Sequence, residues 1–215
     1  IRPAEKADDD AIWDVLRPAV ESGEVFCVPR DGGREAAFAY WRPPGAMNFV
    51  AEIAGLIVGT SYLRPNQTGG GGHVCNAGYC THPDATGRGV ARALFEHSLA
   101  EARARGFRAM QFNFVVATNT RAIATWERGG FVTVGRLPGA FLHPTAGYVD
   151  ALVMWVQRTA DLPMHLDLDG AAETAALVGW FGHGSPPFSN ADQSTKVAGR
   201  VGFRFTVRLK TSGRA

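Results

Sequence analysis

Thr86-Gly87-Arg88-Gly89-Val90-Ala91 joins an apolar run to an amphipathic one, and the fold turns on how that junction is read. Upstream, Cys75 to Thr81 reads as extended chain, and Pro83 bars direct continuation into a helix. Downstream, Val90, Ala91, Leu94, Phe95, Ser98, Leu99 and Ala102 recur at the spacing of one helical face. The glycines therefore stand where a strand hands over to the first turn of a helix. That turn carries backbone N–H groups without intrahelical partners and the positive end of the helix dipole. Glycine removes the side chains that would keep a pyrophosphate off those amides. A Gly-x-Gly by itself is explained as often by a tight turn, so the surrounding pattern has to decide.

The stretch resembles the acetyl-CoA pyrophosphate loop of the Gcn5-related N-acetyltransferases, Gln/Arg-x-x-Gly-x-Gly/Ala. Gly89 and Ala91 match it, while Thr86 stands where that family has Gln or Arg. A second segment, Asn119-Thr-Arg-Ala122-Ile-Ala-Thr-Trp126-Glu-Arg-Gly-Gly130-Phe131, resembles the family's Asn-x-x-Ala-x-x-x-Tyr-x-x-x-Gly-Phe beside the pantetheine arm. The two lie in the family's order, with the strand-like Met110 to Val116 between them. The resemblance covers roughly residues 1–158. It implies a mixed α/β fold, a mostly antiparallel acetyltransferase sheet flanked by helices. It also implies acetyl-CoA as acetyl donor, held by Thr81, Gly87, Arg88, Gly89, Val90, Ala91, Asn119 and Trp126. For Arg88, phosphate pairing and an ordinary exposed loop arginine stand as equal alternatives.

Further blocks, Tyr62-Leu-Arg-Pro-Asn66, Gly70 to Tyr79 and Phe112 to Asn119, resemble a narrower branch that includes fungal enzymes acetylating proline analogues such as azetidine-2-carboxylate. In many family members a Glu on the fourth strand is the general base; the matching position here is Asn76, and a carboxamide cannot take a proton at neutral pH. The branch resemblance instead implies that Asn76, Asn113 and Asn119 line the substrate and thioester region. Alternation along a strand sets Asn113 opposite to Phe112 and Phe114. The family's leaving-group Tyr is Trp126 here, whose indole is no usable acid, so Tyr79 is the substitute considered. His73 is a further candidate base acting through water.

The bulk properties bound the partners. At 215 residues the chain can hold one well-buried core and an appendage. A formal charge of +2, with no Lys/Arg stripe, argues against nucleic acid. No apolar run approaches the roughly 20 residues of a membrane span. Three cysteines, Cys27, Cys75 and Cys80, favour a reducing compartment, hence a cytoplasmic protein, over a disulfide framework. His73, Cys75, Cys80 and His82 are all ligand types, but strand alternation scatters them, so no metal is expected.

The pattern predicts the order β-α-α-β-β-β-α-β-α-β-β. Helices fall near 8–20 and 33–40, and strands at 48–53, 56–63, 131–137 and 148–157, with a flexible Gly69–Gly72 loop. Residues 159–215 depart from the resemblance and read as a C-terminal extension, either poorly ordered or a small lid or dimerisation arm. The expected activity is direct acetyl transfer to a small-molecule amine or amino acid, a proline-like secondary amine being the finer expectation and a homodimer an open option. A protein amine as acceptor, or acyl-CoA binding without turnover, are the alternatives.

Overall fold

A computed structural model describes residues 1–157. The expected extension at 159–215 lies outside the described residues. The chain runs β1 (Arg2–Pro3), α1 (Asp9–Ser22), α2 (Gly33–Trp41), β2 (Met47–Ile53), β3 (Leu56–Pro65), β4 (Val74–Thr81), α3 (Val90–Ala104), β5 (Ala109–Val116), α4 (Thr120–Arg128), β6 (Val132–His143) and β7 (Gly147–Gln157). This is the order that the sequence pattern predicts. The strands form one sheet, β1-β2-β3-β4-β5-β7-β6, in which only the β4–β5 pair is parallel.

The two faces of the sheet carry separate cores. On one, Ile12, Val15 and Leu16 of α1 pack with Trp41 of α2 against Val50, Tyr62 and Cys80. On the other, Phe95, Leu99 and Ala102 of α3 and Trp126 of α4 meet Phe49, Leu63, Cys75 and Ala77. The fully buried apolar face of α1 lets it continue through Pro18, which removes one internal hydrogen bond, to its end at the left-handed Gly23. The start of α1 is tied to β1 because Arg2 donates to both carboxylate oxygens of Asp8, at 2.7 and 2.8 Å. That pairing draws the Asp8 carboxyl down to about 2.

Beyond two pairs, Val74↔Ala109 and Cys75↔Met110, β4 and β5 part. On its other edge β4 stays in unbroken register with β3, from Pro65↔Cys75 to Gly59↔Thr81. Val74 O accepts from Asn66 N, and His82 N donates to Val58 O. In an antiparallel ladder this directs the main-chain groups of even-numbered β4 residues toward β3. Those of Ala77, Tyr79 and Thr81 therefore face the opening. Side-chain parity is equally fixed: Asn76, Gly78 and Cys80 share the α1–α2 face, while Cys75, Ala77 and Tyr79 face α3.

Three expectations need correction. Gly69–Gly71 forms a short 3-10 turn, with Gly71 N bonded to Thr68 O, where a flexible loop was expected. Strand β6 continues past Leu137 to His143, because a register shift between Leu137 and Phe141 absorbs Pro138-Gly139 on this edge strand. Strand β5 does not alternate evenly: Asn113 and Phe114 together stand opposite the single Val153, between Phe112↔Met154 and Val115↔Leu152. Asn113 stays on the side of Gln111, from whose Nε2 it accepts, and so opposite to the core-facing Phe112 as expected, whereas the bulge breaks the alternation between Asn113 and Phe114.

Candidate active site

The gap between β4 and β5 is flanked by two cavities that meet at Tyr79, Asn119, Ala122 and Trp126. The larger, about 500 Å3, lies at the start of α3. Gly87 and Gly89 adopt φ of 79° and 76°, the left-handed region that suits glycine, and Gly89 caps α3. No atom of the described residues lies within 4 Å of a Cβ built on either, which leaves the approach to the helix amides open among them. Thr81, Gly87, Gly89, Val90, Ala91, Asn119 and Trp126 line this cavity, with Arg92, Arg121 and Arg128. Among the described residues no Asp or Glu lines it. Glycine amides, a helix N-terminus and guanidinium groups, that of Arg92 paired with Glu96 at 2.9 Å, are donors of the kind that suit a polyanion. Arg88 is exposed and stands outside the lining.

The smaller cavity, about 320 Å3, lies beneath α2 and the α1–α2 connection. Phe26, Tyr40, Tyr62, Phe112 and Phe114 give it aromatic walls, and Arg64 is the one cationic side chain among its described lining residues. It too contains no Asp, Glu or His among its described lining residues. Tyr62 reaches across β4 because position 78 is glycine: a Cβ there would stand 2.3 Å from the tyrosine ring. Burial pushes both tyrosine hydroxyls up from their ordinary pKa, so they stay protonated at neutral pH.

The three asparagines are all at the cavities, each already committed to a bond. Asn76 is buried at the apex of the gap, where its amide donates to Gln111 O at 2.7 Å and accepts from Tyr62 Oη at 3.2 Å. Its side chain thus ties β3, β4 and β5 where the parallel ladder ends. Asn113, on the bulge, donates to Asn66 Oδ1 at 2.7 Å and accepts from Gln111 Nε2 at 2.8 Å. Asn119 caps α4 by accepting from Ala122 N at 3.2 Å.

Tyr79 departs from the role considered for it. Odd parity sends its side chain to the α3 face, where the hydroxyl bonds Ser98 Oγ and lies 3.8 Å from Met110 Sδ. Its ring lies against Trp126, with centroids 4.9 Å apart. Burial raises the phenol pKa further. The side chain is a wall of the gap; its outward main-chain N–H is what it presents there. Trp126 is buried among Tyr79, Phe95 and Phe112, as a packing residue bordering both cavities. His73 is exposed with Nδ1 3.1 Å from Gly70 O and lines neither cavity. No group of three or more metal-ligand side chains converges among the described residues. Cys75 and Cys80 are buried free thiols, each raised by burial to about 12. No described helix is long and apolar enough to cross a membrane.

A sheet split after β4, with a glycine-led helix N-terminus on one side of the split, is the architecture of the N-acetyltransferase fold. The sequence profile of the acetyltransferase (GNAT) family matches residues 11–131, over half of the 215, and the chain belongs to that family. The N-acetyltransferase aca1 of Schizosaccharomyces pombe is 37% identical over 130 residues, which make up 60% of this chain and 59% of aca1. The matched part is thus less than two thirds of that relative. A GCN5-related N-acetyltransferase from Kribbella flavida is 40% identical with a TM-score of 0.68, covering 73% of this chain and 95% of the other. The yncA protein of Salmonella typhimurium, solved with its cofactor acetyl-CoA, shares the fold at a TM-score of 0.63 and 22% identity, over 73% of this chain and 91% of yncA.

Arg64, Tyr40, Tyr62 and the arginines of α3 and α4 were not assigned site roles from the sequence. Tyr62 and Arg64 did fall within a block quoted for the branch resemblance, which was the available signal. Arg92, Arg121 and Arg128 had none, since isolated arginines on helices are ordinary surface residues.

Proposed function

We propose that this protein transfers the acetyl group of acetyl-CoA to the amine of a small molecule or amino acid, with both bound at once. The observation that carries this reading is the pair of cavities joined across the β4–β5 gap, one suited to a polyanion and one to a small uncharged or anionic acceptor. Bound acetyl-CoA supplies an activated thioester. The amides of Gly87 and Gly89–Ala91 would hold its pyrophosphate, and Arg92, Arg121 and Arg128 would meet its remaining negative charge. The Tyr79 N–H, directed into the gap, would donate to the acyl oxygen as that oxygen gains charge. One such donor is worth on the order of 3 kcal/mol.

The chain's own groups then act mainly by alignment. Asn76 cannot take a proton, and no Asp, Glu or His lines the acceptor cavity among the described residues. The acceptor therefore reacts from its neutral form and gives its proton to water. No acid is needed at sulfur, because a thiol has a pKa of roughly 8.5. The finer acceptor class, a proline-like secondary amine, is supported by the Tyr62–Asn66, Gly70–Tyr79 and Phe112–Asn119 blocks and by the aromatic walls around Asn76. We assign the activity to residues 1–158.

The replacement of the family's Glu and Tyr by Asn76 and Trp126 favours a second reading, acyl-CoA binding without turnover. Coenzyme A thiol release with a panel of amines separates the two. Amine-dependent release supports transfer; tight acetyl-CoA binding with no amine-dependent release supports the binding module.

A further inference from the structure

The acceptor cavity holds an unspent cation. Arg64 lies on β3 directly opposite Asn76 of β4, one strand away from the gap. Its guanidinium sits 5.8 Å from the centre of the Tyr62 ring, which orients it by cation–π attraction. Its Nε is buried without a hydrogen-bond partner. Among the described residues Arg64 has no ion pair at all, whereas Arg2, Arg34, Arg42, Arg105 and Arg136 each reach a carboxylate.

No other described residue of the cavity balances this charge. Among the described residues the lining contains no carboxylate, and Cys27, Tyr40, Tyr62 and Tyr79 are its acidic side chains of last resort. Burial pushes all four toward their neutral forms. Asn76 and Asn113 have both their oxygen and a nitrogen engaged by protein groups. A partly buried guanidinium with free donors and no counter-charge is a receptor for an anion, and its fork matches a carboxylate in both spacing and planarity.

We propose that Arg64 binds the carboxylate of the acceptor, making the acceptor an amino acid rather than a simple amine. This rests on the acetyl-transfer reading above. Held at Arg64, the carboxylate leaves the α-nitrogen of the same molecule to point past Asn76 toward the gap, where the Tyr79 N–H faces. The aromatic side chains around it take the carbon framework. Arg64 is thus a specificity-determining residue. An aminoglycoside or a polyamine, being cationic and lacking a carboxylate, is repelled by the same charge.

The test compares azetidine-2-carboxylate with azetidine-2-carboxamide in the full chain and in Arg64→Gln and Arg64→Lys, with kcat/KM referred to the neutral form of each amine because the two amines differ in pKa. Acetyl-CoA affinity, measured at the separate donor cavity, checks that each variant is folded. The full chain is expected to favour the carboxylate by about 10- to 100-fold in kcat/KM, the usual span for a hydrogen bond to a charged group. In Arg64→Gln the carboxylate-to-carboxamide ratio should collapse to within about threefold of unity, through KM. Arg64→Lys, which keeps the charge without the fork, should fall between. An unbiased full chain, or a variant that lowers both substrates equally, overturns the role of Arg64 while leaving acetyl transfer standing. A chain that acetylates neither compound but acetylates panel amines lacking a carboxylate overturns Arg64's role alone, whereas one that binds acetyl-CoA and acetylates no amine at all defeats the transfer reading and Arg64's role with it.

Discussion

Gly89→Asp is the sharpest perturbation of the donor site, because it separates binding from folding. Gly89 has φ of 76°, and the left-handed conformation costs an ordinary L-residue roughly 1–2 kcal/mol, with Asp among the residues that tolerate it best. No atom of the described residues stands within 4 Å of the added Cβ, so no clash is created with them. The new carboxylate sits at the positive end of α3, which returns about 0.3–1 kcal/mol. Stability should therefore fall by about 1 kcal/mol, a few degrees in Tm. Binding is hit harder. A carboxylate about 4 Å from a phosphate charge is repelled by about 1 kcal/mol at the dielectric of water and about 4 kcal/mol at an effective value near 20. The acetyl-CoA Kd should accordingly rise by about fivefold to a thousandfold. Calorimetric titration of the full chain with acetyl-CoA measures this, alongside thermal unfolding. Gly89→Ala controls for backbone strain, since it carries the same φ without charge. A folded Gly89→Asp variant with the parental Kd would refute the placement of the pyrophosphate on this loop.

Asn76→Ala removes the ties to Gln111 and Tyr62 at the head of the gap. It should lower kcat by at least about tenfold and unfolding free energy by about 1–3 kcal/mol, the range for orphaning buried partners. Asn76→Asp, which cannot donate to Gln111 O, should not restore activity; restored turnover would show that the position lacks only a base. Tyr79→Phe deletes the Ser98 bond within the core and should cost about 0.5–1.5 kcal/mol of stability with kcat changed less than about threefold. A large fall in kcat without unfolding would return the hydroxyl to the chemistry. In the pH profile, burial raises Cys27, Tyr40 and Tyr62, so all three remain protonated through the neutral range. With no described carboxylate or imidazole in the lining, kcat/KM should climb about tenfold per pH unit below the acceptor's own amine pKa, tracking its neutral fraction. A break that stays fixed when acceptors of different amine pKa are exchanged would reveal an enzyme base.

The donor loop was legible because its signal is local: two glycines, a proline stop upstream and a helical repeat downstream fall within a few turns of chain. The order of elements followed from the same short-range periodicities. Tyr79 shows a different limit. Its spacing from Asn76 already implies opposite faces, yet only the packing of α3 reveals that Ser98 awaits the hydroxyl. The bulge at Asn113-Phe114 left no trace in the sequence, since it depends on which residue of β7 is faced. Pro138-Gly139 reads locally as a stop, and an edge strand overrides it. Arg64 was hardest to see. Its significance is the lack of a partner, a property of everything packed around it rather than of its neighbours in sequence.

Transfer of an isotope-labelled acetyl group tests the central claim most directly. The full chain is incubated with acetyl-CoA labelled in the acetyl group and with azetidine-2-carboxylate, and the small molecules and intact protein are weighed by mass spectrometry. Direct transfer predicts N-acetylated amino acid carrying the label, equal in amount to the coenzyme A thiol released, with the protein's mass unchanged. Thiol released without labelled product, or label retained on the protein, would contradict it.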